Sequence, residues 1–346
     1  MARRARARRL MLNRRPAWLA PPGSSKLGRN RGLMALRTEA RPAAAPSQAL
    51  ARAPWWERNL GWLLVLPTIA MFALFAIYPT VSAFLYSLSR ARLIRGHLER
   101  TFVGLDNFRR AFEDPLVRQA ARFTIKWSLS VTAMEVLLGL LIALLVSQIA
   151  RGRGIITSLL IIPIIMPPVS VAVAWRFMYD PAFGIFNYLL NQIGIHDVFW
   201  LSDPDVATYA LMAVDVWQTT PFVFLLLYAG LISLPRDPYE AAAIDGASPW
   251  FTFKTVTLPL LKPVLLVVVL LRVIDSARIF DKILVMTRGG PGSQNYSMTY
   301  TIYQEFIPKF DFGYTAALSF LFQFCLVIVA TMYVRRVMAD YSAPVE

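Results

Sequence analysis

The sequence predicts an all-α, polytopic membrane protein with six transmembrane helices. Of its 346 residues, 56% are hydrophobic, and the mean hydropathy is +0.49. The apolar residues are grouped in blocks, and a soluble domain of this size could not bury so many of them. Six blocks each hold about 20 or more mostly apolar residues, which is enough to cross a hydrocarbon core of about 30 Å.

The spans are placed where the apolar blocks begin and end. The third contains three prolines, Pro163, Pro167 and Pro168, which remove backbone donors and are expected to kink it. In chain order, we predict spans at residues 60–88, 125–150, 155–179, 207–234, 258–286 and 314–337.

Composition divides the chain into three regions. Residues 1–54 are rich in Arg, Ala and Pro, and they lack the apolar segment of a cleavable signal peptide. We expect a disordered cytoplasmic tail that contacts anionic lipid headgroups; Met34 is an alternative start. The tail has no aromatic interleaving, so no nucleic-acid partner is expected. A transmembrane domain is predicted at residues 55–337, with a polar loop at 235–257, and a short cytoplasmic C-terminus at 338–346.

The charges of the loops predict that both termini are cytoplasmic. Basic residues follow the second and sixth spans, at Arg151, Arg153, Arg335 and Arg336. The loop after the third span is acidic, with Asp180, Asp197, Asp203 and Asp205. The segment 90–122 conflicts with this topology, because it is basic and yet is placed outside.

The sequence offers no catalytic or metal site. The single cysteine, Cys325, cannot form an internal disulfide, and it has no partner for a metal site. We find no Ser/His/Asp grouping, no phosphate-binding glycine loop and no carboxylate pair in a soluble domain. The chain is therefore not expected to be an enzyme, to hold a cofactor or to hydrolyse ATP itself.

The loop between the fourth and fifth predicted spans is polar but strongly helix-forming. Glu240 and the alanines after it favour a helix, and Gly246 permits a sharp turn. Ser248 can cap a second helix that has Pro249 in its first position. A helix–turn–helix that runs directly into the next span is typical of a docking element between a membrane domain and a soluble partner.

This loop carries a family resemblance. Its pattern is Glu-Ala-Ala, three residues, Gly246, nine residues and then Val-Thr-Leu-Pro. This pattern resembles the EAA loop of bacterial ABC-importer permeases of type I. The resemblance implies a cytoplasmic coupling helix seated in a cleft of a partner ATPase subunit, which binds ATP and Mg. The residues that it assigns to coupling are Glu240, Ala241, Ala242, Asp245 and Gly246.

Three further stretches resemble the first of two permeases in carbohydrate importers of the maltose type. They are Trp217–Phe222 (WQTTPF), Arg278–Asp281 (RIFD) and Met286–Gly292 (MTRGGPG). The resemblance implies a multi-pass protein of the bacterial plasma membrane that imports a disaccharide such as trehalose or maltose; glycerol phosphate or another solute is the alternative. The implied partners are a second permease in a heterodimer, two ATPase copies, an extracytoplasmic sugar-binding (lipo)protein, membrane lipid and the sugar.

Polar residues within spans four and five are the candidate substrate path. A rise of 1.5 Å per residue places both sets at similar depth, roughly 18 to 32 Å from the cytoplasmic ends. Each set also follows helical spacing and so shares one face. Charges inside a bilayer usually face a cavity or one another. The candidates are Asp215, Gln218, Thr219 and Phe222 on span four, and Arg272, Asp275 and Ser276 on span five.

A structural interpretation of the same residues stays open. Arg272, Asp275, Arg278 and Asp281 alternate in sign at three-residue steps, which suits an intrahelical charge ladder. Arg278 and Asp281 could instead pair near the outer interface and shape a gate. Gln218 and Thr219 suit helix–helix hydrogen bonds equally well, and Lys282 is expected to extend to water.

A different class of function is a self-contained, ion-coupled secondary transporter. Such proteins show internal repeats and discontinuous spans in corresponding halves. We find no convincing repeat between spans one to three and four to six, and this alternative leaves the EAA loop unexplained.

Overall fold

A computed structural model describes residues 55–94, 97–149 and 151–342. The predicted tail, residues 1–54, lies outside the described residues, as do residues 343–346. Residues 55–66 belong to one compact unit and residues 67–342 to a second, and the contacts discussed below lie within the second.

Most of the described chain is helical. The helices are α1 Trp55–Arg58, α2 Leu60–Phe72, α3 Tyr78–Ser87, α4 Asp106–Glu113, α5 Pro115–Ser147, α6 Arg153–Ile165, α7 Pro168–Met178, α8 Ile185–Asn191, α9 Ala207–Ile232, α10 Asp237–Ile244, α11 Pro249–Thr252, α12 Leu258–Ser276, α13 Met298–Phe306 and α14 Phe312–Ser342. Turns of π-helix lie at Ala73–Ile77, Phe253–Thr257 and Ile283–Thr287.

Among the described residues, five helical segments are long and apolar enough to cross a membrane, and a bent pair of helices makes a sixth candidate span. Five are continuous helical segments: Leu60–Ser87, Pro115–Ser147, Ala207–Ile232, Pro249–Ser276 and Phe312–Met338. The sixth is the pair α6 and α7, which are bent by 91° at the break between them. This bend lies at the predicted prolines and confirms the expected kink in the third span.

Two spans differ from the prediction by more than three residues at an end. The second begins at Pro115, ten residues before the predicted start, because Asp114 caps it by accepting a 2.8 Å hydrogen bond from the backbone N–H of Leu116. The fifth ends at Ser276 rather than at residue 286, and a turn separates it from the π-helical segment Ile283–Thr287.

A β-hairpin after the first span departs from the all-α prediction. Strand β1, Ser89–Ile94, pairs antiparallel with β2, His97–Phe102. The side-chain amide of Asn107 on α4 fastens its base, donating 2.9 Å hydrogen bonds to the carbonyls of Ser87 and Ser89. The hairpin is therefore packed against α4 rather than forming a free loop.

The core lies where α5, α9 and α12 meet. One part contains Trp127, Val131, Leu211, Val214 and Ile283, and another contains Ala143, Phe224, Leu227, Leu261 and Val268. Gly139 permits α5 to approach α9 closely, since an added Cβ there would lie 2.6 Å from Val223 Cγ1. Small residues serve this purpose where membrane helices pack.

Candidate functional site

The loop between α9 and α12 folds as predicted. Helix α10 ends in a left-handed residue, Gly246, at φ +69°. The N–H of Ala247 then bonds to the carbonyl of Ala242 at 2.9 Å, which closes the helix end as a Schellman motif. Ser248 caps α11 by accepting a 3.3 Å hydrogen bond from the N–H of Phe251, and Pro249 opens that helix. The helix–turn–helix geometry is confirmed.

The loop presents apolar side chains between exposed charges. Ile244 is 86% exposed and Trp250 is 72% exposed, with the Trp250 ring stacked on Phe253. The carboxylates of Glu240 and Asp245 lie on the same exposed loop. Large apolar groups rimmed by polar residues mark protein interaction sites.

A groove of about 660 Å³ separates the loop from the end of α5. Its walls are apolar, and they include Leu137, Leu141, Leu144, Ala243, Trp250 and Phe253. The hydroxyl of Tyr239 on α10 lies 3.1 Å from that of Thr257, which joins α10 to the start of α12. The loop is therefore joined to the start of α12 by this side-chain contact as well as by the chain itself.

Farther along α12 from the loop, α12 is joined to α5 by a buried ion pair. Arg272 is 1% exposed, and its Nε and Nη2 donate hydrogen bonds of 2.6 and 2.9 Å to the carboxylate of Glu135. Sequence analysis missed Glu135, although a lone carboxylate inside a predicted span is itself a signal of function or pairing.

Helix α9 joins the same cluster through Asp215. One carboxylate oxygen of Asp215 accepts a hydrogen bond from Lys282, and the other lies 3.7 Å from Arg272. The prediction that Lys282 extends to water was wrong, because the turn after Ser276 brings Lys282 against α9 and buries it.

The predicted charge ladder is present only in its first step. Asp275, whose side chain is 71% exposed, pairs with Arg272 at i,i+3. Within the described ranges, neither Arg278 nor Asp281 has an ion-pair partner within 4.0 Å. Helix α12 has already ended at Ser276, so three-residue spacing no longer places these two residues on one face.

The uncharged candidates make contacts between helices. Gln218 donates a 3.0 Å hydrogen bond to the carbonyl of Met166, which lies at the break between α6 and α7. Thr219 donates to Glu135 at 2.8 Å, and the hydroxyl of Ser276 lies 2.7 Å from that of Ser128. Phe222 is half-buried. Their assignment to a substrate path stays a prediction, and a packing role is visible for Gln218, Thr219 and Ser276.

A second polar cluster lies beside the hairpin, outside the spans. Asp311 accepts hydrogen bonds from Arg92 at 2.6 Å and from Arg110 at 3.1 Å. Burial acts to raise the pKa of Asp311, but the hydrogen bonds from Arg92, the N–H of Tyr314 and Arg110 outweigh it and hold the pKa below its ordinary value. Two arginines of the segment 90–122 are thus balanced locally.

Comparisons with known proteins agree with this architecture. Residues 135–338 match the family described as "Binding-protein-dependent transport system inner membrane component". The chain is 39% identical over 281 residues to the trehalose/maltose transport system permease protein MalF of Thermococcus litoralis, covering 81% of this chain and 94% of that protein. It is 34% identical over 284 residues to the sn-glycerol-3-phosphate transport system permease protein UgpA of Escherichia coli O157:H7, covering 81% and 95%.

Solved structures share the fold. A chain of a bacterial alginate ABC transporter, crystallised in complex with an alginate pentasaccharide-bound periplasmic protein, aligns with a TM-score of 0.72 at 21% identity. The alignment covers 84% of this chain and 98% of that one.

The spans and the ordered loop between them define a membrane permease subunit rather than an ATPase. The chain belongs to the family of inner membrane components of binding-protein-dependent transport systems.

Proposed function

We propose that this permease is one of two different membrane subunits of an ATP-driven importer of carbohydrate. An extracytoplasmic binding protein delivers the solute, and two copies of a separate ATPase subunit bind ATP and Mg. The relatives named for trehalose/maltose transport support a disaccharide as the solute, and the sn-glycerol-3-phosphate relatives support a phosphorylated polyol as the second candidate.

The geometry of the α10–α11 loop carries the proposal. The positive φ of Gly246 turns the chain sharply, so that Ile244 and Trp250 are both presented to solvent. A surface of this kind, continuous with a membrane span, can receive force from a soluble subunit. In our proposal, the surface that binds the ATPase is formed by Glu240, Ala241, Ala242, Asp245 and Gly246.

This role also sets the proposed orientation. If the loop is cytoplasmic, four spans precede it and two follow it, with the bent pair taken as one span. Both termini then lie in the cytoplasm, and the hairpin and the Asp311 cluster lie outside. The loop after α7, with its four aspartates, is external in the same arrangement.

The mechanism follows from how the loop is joined to the core. ATP-driven closure of the ATPase pair moves α10 and α11, and the Tyr239–Thr257 contact and the continuous helix carry the movement to α12. Arg272 lies about 21 Å along α12 from Leu258, at 1.5 Å per residue. Its pairing with Glu135 extends the movement to α5.

Copurification tests the assembly. An affinity tag on this chain should capture an ATPase subunit and a second permease from native membranes, and the mass of the detergent-solubilised complex gives the stoichiometry. A transport-competent homodimer without an ATPase would contradict the proposal.

Substitution of Gly246 tests the coupling. Gly246→Trp should abolish uptake while the external receptor still binds solute, because the residue is strained at positive φ and the bulk disturbs the surface that binds the ATPase. Gly152→Trp is a matched control, since Gly152 also has a positive φ and open space around it but lies before α6. Normal uptake by the Gly246 variant would refute the coupling role.

A further inference from the structure

We infer that a cleft at the outer ends of α5 and α9 binds a polyol or sugar that carries an oxyanion, such as a phosphate, sulfonate or carboxylate group. This inference rests on the proposed function, and it favours the second candidate, a phosphorylated polyol, over a neutral disaccharide. None of the substrate-path residues predicted from the sequence lines this cleft.

The cleft has the size and the walls of a carbohydrate site. Its volume is about 960 Å³, at the upper end of the range for small-molecule sites, about 300–1,000 Å³. The side chains that matter for binding are Arg122, Phe123, Lys126, Trp127, Asp205 and Tyr209. Aromatic rings can pack against a sugar ring, and the charged groups can bond its oxygens.

The charges of the lining favour an anion. Arg122 and Lys126 are four residues apart on α5 and so share a face. In the part of the chain that the structure describes, neither has an ion-pair partner within 4.0 Å. Asp205 is the single carboxylate among the lining residues, so cations are in excess. Both side chains are exposed, so they can reach an anion in the cleft.

Trp127 gives a second and independent observation. It is 1% exposed, and its indole Nε1–H is buried without a hydrogen-bond partner among the described residues. The ring stacks on Phe123 with centroids 5.8 Å apart, which fixes its orientation. Buried donors are rarely left unpaired, because burial removes the hydrogen bond that the group would make with water. This donor is closed off from the cleft as it stands, so a ligand oxygen would bond it only after the ring turns toward the cleft.

The cleft also lies nearer to the N-terminal end of α5 than the buried charge cluster does. Glu135 follows Trp127 on α5 by about 12 Å, at 1.5 Å per residue. A solute held at Arg122 and Lys126 would therefore sit outward of the Glu135–Arg272 pair, at the entrance to the membrane region.

The test uses the importer complex purified through a tag on this chain and placed in phosphatidylcholine nanodiscs. Binding of trehalose 6-phosphate and of trehalose is measured by titration calorimetry. Trehalose 6-phosphate should bind at least about tenfold more tightly, and Arg122→Gln and Lys126→Gln should each weaken it about tenfold, as expected for a charged hydrogen bond. Arg118→Gln is the control, because Arg118 is exposed on the same helix and does not line the cleft.

Three results would overturn the inference. One is equal affinity for the two sugars, and another is unchanged affinity in both cleft variants. The third comes from a parallel titration in nanodiscs that also contain phosphatidylglycerol: complete loss of sugar-phosphate binding there would identify the cleft as a lipid-headgroup site. If the ATPase still copurifies in any of these cases, the proposed function stands and only the substrate class fails.

Discussion

The guanidinium of Arg272 donates two hydrogen bonds to the carboxylate of Glu135, although the two residues are 137 positions apart in the sequence. The pair joins the fifth span to the second, and Asp215 approaches it from the fourth. Because the candidate coupling loop runs directly into α12, any movement of α12 either carries α5 and α9 with it or breaks this pair. The cluster is therefore a structural link between the loop and the membrane core.

Glu135→Gln should destabilise the protein strongly. Removal of one partner leaves the buried Arg272 with only the exposed Asp275, and Asp215 at 3.7 Å, to offset its charge, so the cost is up to about 3–5 kcal/mol. The measurement is the unfolding temperature of the solubilised complex, read from the loss of its size-exclusion peak after heating. Glu113→Gln is the control, since its pair with Arg109 is exposed and is worth about 0–1 kcal/mol. Equal stability of the two variants would contradict the role of the pair.

Asp275→Ala separates a substrate role from a structural one. The Asp275 side chain is exposed, and Arg272 keeps its bonds to Glu135 without it. We therefore expect normal yield of the complex and normal basal ATP hydrolysis, with uptake reduced several-fold if the carboxylate contacts solute. Reduced yield with unchanged uptake per assembled complex would remove Asp275 from the substrate path.

Gln218→Ala should act through the bend in the third span. The Gln218 amide bonds the carbonyl of Met166, whose regular helical partner is removed by the break before α7. We expect a loss of about 0.5–1.5 kcal/mol of stability, the size of a neutral hydrogen bond. Hydrogen exchange of residues 155–178 should rise in the variant. If exchange there is unchanged while uptake falls, solute contact is the better account of Gln218.

Local sequence signals predicted local structure well. Gly246, Ser248 and Pro249 specify the helix–turn–helix because each acts on its own backbone, and the prolines of the third span specify its bend for the same reason. Such features need no knowledge of distant parts of the chain.

Features that depend on distant partners were not predicted. The hairpin depends on Asp311, more than two hundred positions from Arg92, and an isolated two-stranded hairpin is only marginally stable. Glu135 is a single acid in an apolar run, and its partner could not be identified from spacing. Lys282 was misplaced because nothing in an apolar pattern revealed that α12 ends at Ser276.

The docking of the hairpin should weaken in acid. The pKa of Asp311 is lowered in the folded state, so its contribution to stability is present above its unfolded pKa of about 3.9 and is lost as the pH falls through the folded value. Asp311→Asn should reproduce this loss at neutral pH, seen as faster hydrogen exchange in residues 89–102. Glu99→Gln, which alters an exposed carboxylate on β2, should leave exchange unchanged. Equal exchange in the Asp311 variant and the parent would show that Asp311 does not fasten the hairpin.

The apolar groups of the loop should hold the ATPase. Interface hot spots are often aromatic and cost about 2 kcal/mol or more when truncated, so Trp250→Ala should lower the affinity for the ATPase more than tenfold. The ring is 72% exposed, so the permease fold should be retained, as measured by its unfolding temperature. Ile155→Ala is the control, since Ile155 is 71% exposed on α6, outside the loop. Full ATPase recovery with the Trp250 variant would place the contact on other loop residues, with Ile244→Ala as the next variant to compare.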